Sequence, residues 1–212
     1  MSIIKLIERL ASDARPVRRS AFLSIVWPSL LIGTLCGFVV MVMSIGIRPD
    51  IGQKEALAQI MVRGGLGAAS VIAGLAALVS SLRPDISSTT PKRILAAALA
   101  LIVIFAAVQL TSDKFSWSLV YLGASARCSP WMVALFAVPS FVSLATVVRF
   151  EAPTHLNVSG AALGLTSGGI GAFVYGFGCS EESAAVGLVW FSVGIGLTTL
   201  VGMLIGPRLL RW

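Results

Sequence analysis

Side chains able to do chemistry are scarce in this chain, and three stand together in "YGFGCSEES", Tyr175 to Ser183. Cys179 sits beside Glu181 and Glu182, between two of the most apolar stretches of the sequence. Such a group can serve as a redox site, a metal site, a structural bridge or an ordinary loop. Cys128, in "ARCSPW", is the second cysteine that flanks an apolar run, whereas Cys36 falls inside one and reads as a small buried apolar residue. Two cysteines outside and one within suggest one bridge and one spectator. As a bridge, Cys128 and Cys179 would tie the start of the fourth apolar run to the start of the sixth. As a thiol pair, they would change state with oxidant or metal. Glu181 and Glu182 could add oxygen ligands, or simply open a helix whose dipole favours acids at its start, with Ser180 as its N-cap. No Cys-x-x-Cys motif or histidine cluster accompanies them, so neither a metal centre nor a bound cofactor is expected. The single histidine, His155, follows "EAP" in a short loop with no nucleophile or zinc motif nearby. The expectation is a protein that is not an enzyme.

The elements that position these residues are read from hydropathy. The 212 residues are 57% hydrophobic and only 12% charged, about half the charge of an ordinary soluble domain. Charged residues cluster and leave six long apolar runs, uncharged apart from Arg63, at about 21–47, 60–82, 94–111, 131–148, 159–178 and 185–206. Each approaches the roughly 20 apolar residues that a spanning helix needs. The runs are apolar on every face rather than alternating, which favours helices over barrel strands. Arg63, just inside the second run, is expected to snorkel its head to the interface. The fold class is therefore all-α: a polytopic membrane protein with a six-helix transmembrane bundle over 21–206. A short amphipathic segment (1–20) precedes the bundle and a tail (207–212) follows it. The N-terminus lacks the pattern of a cleavable signal, so the first span reads as retained.

Basic residues orient the bundle. With cytoplasmic termini, the inner segments hold Lys5, Arg9, Arg15, Arg18, Arg19, Arg83, Lys92, Arg93, Arg149, Arg208 and Arg211, against Arg48, Lys54, Arg63, Lys114 and Arg127 outside. The positive-inside rule favours this arrangement, and the net charge of +7 reflects contact with anionic headgroups rather than direct nucleic-acid binding. Cys128 and Cys179 then share the outer compartment, which for a bacterial inner membrane is the oxidising periplasm.

"RPDI" occurs at Arg48–Ile51 and again at Arg83–Ile86. Both copies read as helix stops, with the arginine on the helix dipole and the proline ending the helix. Gly160, Gly164 and Gly168 form a small-residue stripe on the fifth run, and Gly202 and Gly206 repeat the spacing on the sixth. Close packing within the bundle is the first use of such stripes, a homodimer face the second. No Asp, Glu, Lys or His lies at a span centre, which counts against a proton-coupled carrier or ion pump. A transporter or channel of another kind, or a membrane scaffold, is the alternative reading.

"MSIIKLIERLASDARPVRR" opens the chain. Ile3, Leu6, Ile7, Leu10 and Ala14 fall on one helical face, with Lys5, Glu8, Arg9, Ser12 and Asp13 on the other. Pro16 ends the helix at or before Arg15. About three turns are too few for a stable isolated helix, so the stripe needs a surface: the inner leaflet, the bundle or a cytosolic protein.

The order of "LASDARPVRR" before the first span, "GIRPDI" after it, a cysteine before the fourth span, another before the sixth, and the terminal "WFSVGIGLTTLVGMLIGPRLLRW" resembles the NrsF family of six-span bacterial anti-sigma factors. The resemblance covers essentially the whole chain. It implies that the protein holds an extracytoplasmic-function sigma factor at the inner membrane. Capture would be by the N-terminal segment, through Ile3, Leu6, Ile7, Leu10, Asp13, Arg15, Pro16, Arg18 and Arg19. It further implies that Cys128 and Cys179 perceive a stress such as heavy metal or oxidant and bring about release. This chain has no histidine near the sixth span, which disfavours a mixed Cys/His metal site there.

Overall fold

The computed structural model describes residues 19–49, 51–82, 89–111, 129–151, 153, 155–179 and 184–210. Every regular element among them is an α-helix: α1 (Arg19–Ser44), α2 (Lys54–Ser81), α3 (Thr89–Leu110), α4 (Pro130–Phe150), α5 (Leu156–Tyr175) and α6 (Ala184–Leu209). All six are long and apolar enough to cross a membrane. They coincide with the six runs, mostly extended by a turn at one end, because hydropathy marks the apolar body of a helix and not the polar residues that start it.

The bundle is built around α5. Its mean hydropathy of 1.3 is the lowest of the six, yet 89% of it is buried. α3, with a mean hydropathy of 2.4, lies at the periphery with only 11% buried. This inversion has a physical cause. In a bilayer an outward-facing helix would meet apolar surroundings and must be apolar, whereas a central helix must let its neighbours come close. α5 does so with glycine, alanine, serine and threonine. A Cβ on Gly169 would stand 2.7 Å from the carbonyl oxygen of Gly67, and one on Gly67 would stand 2.7 Å from that of Gly169, so α2 and α5 touch backbone to backbone. Gly160 meets Gly202 and Gly206, and Gly164 meets Thr198, Thr199 and Gly202, across the α5–α6 seam. The two glycine stripes thus face each other within one chain. The hydroxyls this brings inside are bonded. Thr166 Oγ1 donates to Ala162 O at 2.8 Å, Thr199 Oγ1 to Ile195 O at 2.7 Å, and Ser81 and Ser159 share a hydrogen bond of 3.0 Å between α2 and α5.

Contacts fix the directions. Gly33 meets Ser140 while Gly37 meets Phe136, so α1 and α4 are antiparallel; Gly67 meets Phe173 while Gly74 meets Ala162, so α2 and α5 are too. The ends of α1 and α5 and the starts of α2, α4 and α6 therefore gather at one end of the bundle, hereafter the Cys179 end. The outer surface is lined with exposed large apolar residues on every peripheral helix, among them Leu35, Met61, Leu101, Val142 and Leu204. Cys36 is free and exposed on α1, so it faces outward rather than into the helix packing. The N-terminal segment up to Arg18, the second "RPDI" and Cys128 lie outside the described residues.

Candidate functional site

At the Cys179 end, a glycine in the left-handed region stops α1: Gly46 has φ 82°, and the amides of Ile45 and Gly46 both donate to Met41 O. The helix has therefore ended before Arg48, whose contacts lie elsewhere. Its amide donates to Phe177 O at 3.2 Å, and its Nη1 donates to Cys179 O at 3.3 Å. The stop-signal reading of this first "RPDI" is corrected accordingly: Gly46 stops the helix, and Arg48 clamps the turn after α5.

Arg63 requires a larger correction. It lies nine residues after Lys54, roughly 13 Å along α2 at 1.5 Å per residue. It does not snorkel outward. Only 1% of it is exposed, and its Nη1 donates to the same Cys179 carbonyl at 3.4 Å. Its guanidinium carbon stands 5.7 Å from the centre of the Phe191 ring on α6. Gly187, one turn earlier on α6, makes the room: a Cβ there would lie 2.6 Å from Nη2 and 2.9 Å from Cζ of Arg63. Phe191 stacks on Tyr175 at 5.3 Å and 15°, and Tyr175 leans on Phe136 of α4 at 5.6 Å. Phe177 packs edge-on against Phe173 and against Phe38 of α1. The turn 176–179 is thus gripped from α1 and α2, and Tyr175 just before it is held by α4 and α6.

Cys179 is 2% exposed and disulfide-bonded; its amide donates to Tyr175 O at 3.0 Å. Of the residues singled out in the sequence, the structure places Cys179 in this cluster and Arg19 at the start of α1. Cys128, Ser180, Glu181, Glu182 and Ile3, Leu6, Ile7, Leu10, Asp13, Arg15, Pro16 and Arg18 lie outside the described residues. Among the described residues there is no group of three His, Cys, Asp or Glu side chains able to hold a metal. Sequence reasoning misassigned Arg48 and Arg63 and passed over Gly187. The available signal was an arginine inside an apolar run, since a charge at membrane depth marks a functional position by default.

Comparison with known proteins follows this geometry. Residues 10–212 match the family model described as "Negative regulator of sigma F". The chain belongs to the NrsF family. A protein of Caulobacter vibrioides named anti-sigma-F factor NrsF is 28% identical over 219 residues, covering 98% of each chain. A probable anti-sigma-F factor NrsF of Azospira oryzae is 26% identical over 167 residues, covering 78% of each. No solved structure matches. The NrsF match begins at Leu10, the first residue of "LASDARPVRR", so Ile3, Leu6 and Ile7 precede it. The name of the family describes regulation rather than catalysis.

Proposed function

We propose that this protein is a membrane-bound anti-sigma factor. It sequesters an extracytoplasmic-function sigma factor at the bacterial inner membrane and releases it when Cys128 and Cys179 register a stress outside. The observation that carries this reading is the family match over residues 10–212, with a named anti-sigma-F factor aligned over 98% of the chain. Six helices of spanning length, with large apolar side chains on the outer surface, support placement in a bilayer. In such a bundle the termini face the cytoplasm, and the N-terminal segment with Asp13, Arg15, Pro16, Arg18 and Arg19 meets the sigma factor. In this reading Cys128, the other cysteine ahead of an apolar run, is the residue that pairs with Cys179. Release requires that the sigma factor bind two states of the bundle unequally.

The lateral groove between α4 and α6, about 300 Å³, fits this reading better than transport. Trp131, Phe141, Leu197 and Val201 line it, and the hydroxyls of Ser167 and Thr198 beside it donate to their own helix carbonyls. It offers little to replace the hydration of a polar solute.

The test is capture from native membranes. The tagged full chain, solubilised in mild detergent, is expected to retain a sigma factor, and a chain lacking residues 1–18 is expected to lose it. Equal retention by both would move the binding surface off the N-terminal segment; capture of none would overturn the anti-sigma reading. In cells, Cys128→Ser with Cys179→Ser is expected to abolish the response of sigma-dependent transcription to oxidant or heavy metal. A normal response in that variant would remove the cysteines from the mechanism.

A further inference from the structure

Arg63 is the least expected residue in the bundle. A guanidinium deep in an apolar helix is costly unless its donors are met, and removing an acceptor from a buried charge is more disruptive than removing a surface contact. Three elements hold this one. Its stem belongs to α2, its Nη1 donates to Cys179 O in the turn after α5, and its flat face lies against Phe191 of α6. The backbone of α6 is shaped to it, because Gly187 leaves the space that any Cβ would take from Nη2. Arg48 brings a second guanidinium to the same carbonyl from the segment after α1. The carbonyl belongs to the residue whose sulfur is in the disulfide, so the acceptor the two arginines share lies on the backbone that the disulfide tethers.

We infer that Arg63 is the positioning residue through which the covalent state of Cys179 sets the packing of α2 against α6. The inference rests on the reading of Cys179 as half of the sensing pair. With the disulfide intact, the turn is tethered and Cys179 O stays where both guanidiniums reach it. A dithiol reductant supplies two electrons and two protons: the S–S bond breaks, two thiols form, and the reductant closes its own disulfide. The untethered turn then withdraws its carbonyl. Arg63 then loses one of the contacts that fix its pose, and α2 repacks against Phe191 and Gly187. α2 runs on to Ser81 at the far end, where it bonds Ser159 of α5, so a displacement at Arg63 reaches the opposite end through one rigid helix.

The experiment is amide hydrogen exchange on the purified full chain in detergent, before and after reduction with dithiothreitol, with thiol content counted in each sample. In the wild-type chain, reduction is expected to speed exchange by about tenfold in the α2 segment around Arg63 and at the start of α6. In Arg63→Met the oxidised and reduced patterns there are expected to coincide, and Arg63→Lys, which keeps a cationic donor, is expected to restore part of the difference. Should Arg63→Met fail to fold, Gly187→Ala displaces the same guanidinium while leaving the arginine in place, and it is expected to blunt the difference likewise. Reduction that leaves wild-type α2 unchanged overturns the inference. So does an undiminished change in Arg63→Met or Gly187→Ala. No sigma factor is present in this measurement, so its failure and the failure of the anti-sigma reading are separate results.

Discussion

At the scale of single residues, a glycine's role depends on what its missing side chain leaves room for. α6 offers a matched pair. A Cβ on Gly187 would press into the Arg63 guanidinium, whereas one on Gly196 would meet nothing within 4 Å. Gly187→Ala is therefore expected to lower stability by about 1–3 kcal/mol, as overpacking does. Gly196→Ala is expected to be neutral or to stabilise by about 0.5–1 kcal/mol through better helix propensity. Unfolding titrations in mixed micelles check both; equal effects would mean that the guanidinium does not occupy the space beside Gly187. Nothing in the spacing of glycines along α6 separates these two positions. Their difference is set by a residue on another helix, and that is why Gly187 was invisible in the sequence. Arg63 was visible but misread: its apolar surroundings and its nearness to a span boundary suit a snorkelling stem and a buried donor equally, and only the position of Cys179 O decides between them.

At the scale of elements, the sequence was far more legible. Spans of about 20 apolar residues have one helical solution, so the six helices were read with shifts of a few residues at their ends. The glycine stripes on α5 and α6 are legible too, with packing inside the bundle as their first expected use, and here they meet each other. The central place of α5 was hidden by its low hydropathy, which looks like the weakest span until its neighbours are known. The α2–α5 seam carries a testable pair. Ser81 and Ser159 hydroxyls lie 3.0 Å apart, each fully within the bundle. A double-mutant cycle with Ser81→Ala and Ser159→Ala is expected to return a coupling of about 0.6 kcal/mol, the typical value for an interhelical hydrogen bond in a membrane bundle. A coupling of zero would mean that each hydroxyl is satisfied by its own helix alone. That alternative is real, since Ser81 Oγ also donates to Leu78 O at 2.8 Å.

At the scale of the whole molecule, the two ends of the bundle differ in kind. Among the described residues, the arginines at the Cys179 end are buried, Arg48 at 5% and Arg63 at 1% exposed, and Lys54 at the start of α2 is the exposed cation there. The other end presents Lys92 and Arg93 at the start of α3, Arg149 at the end of α4 and Arg208 at the end of α6, all exposed. Counting charges along the sequence treats these two groups alike, yet only exposed cations can contact lipid headgroups. Leaving the buried pair out of the count widens the difference on which the expected orientation rests, and the orientation itself is what labelling tests. The prediction concerns two exposed positions at opposite ends, Gly52 and His155, tested one at a time in a Cys36→Ser background. A membrane-impermeant maleimide added to spheroplasts is expected to label Gly52→Cys in intact cells and His155→Cys only after lysis. Labelling in the reverse order would place the Cys179 end in the cytoplasm. The disulfide would then stand in a reducing compartment, and sensing from outside would have no route to it. Labelling as expected puts the buried arginine clamp on the oxidising side and the exposed basic rim on the side where a sigma factor must be held, with α2 as a rigid path between them.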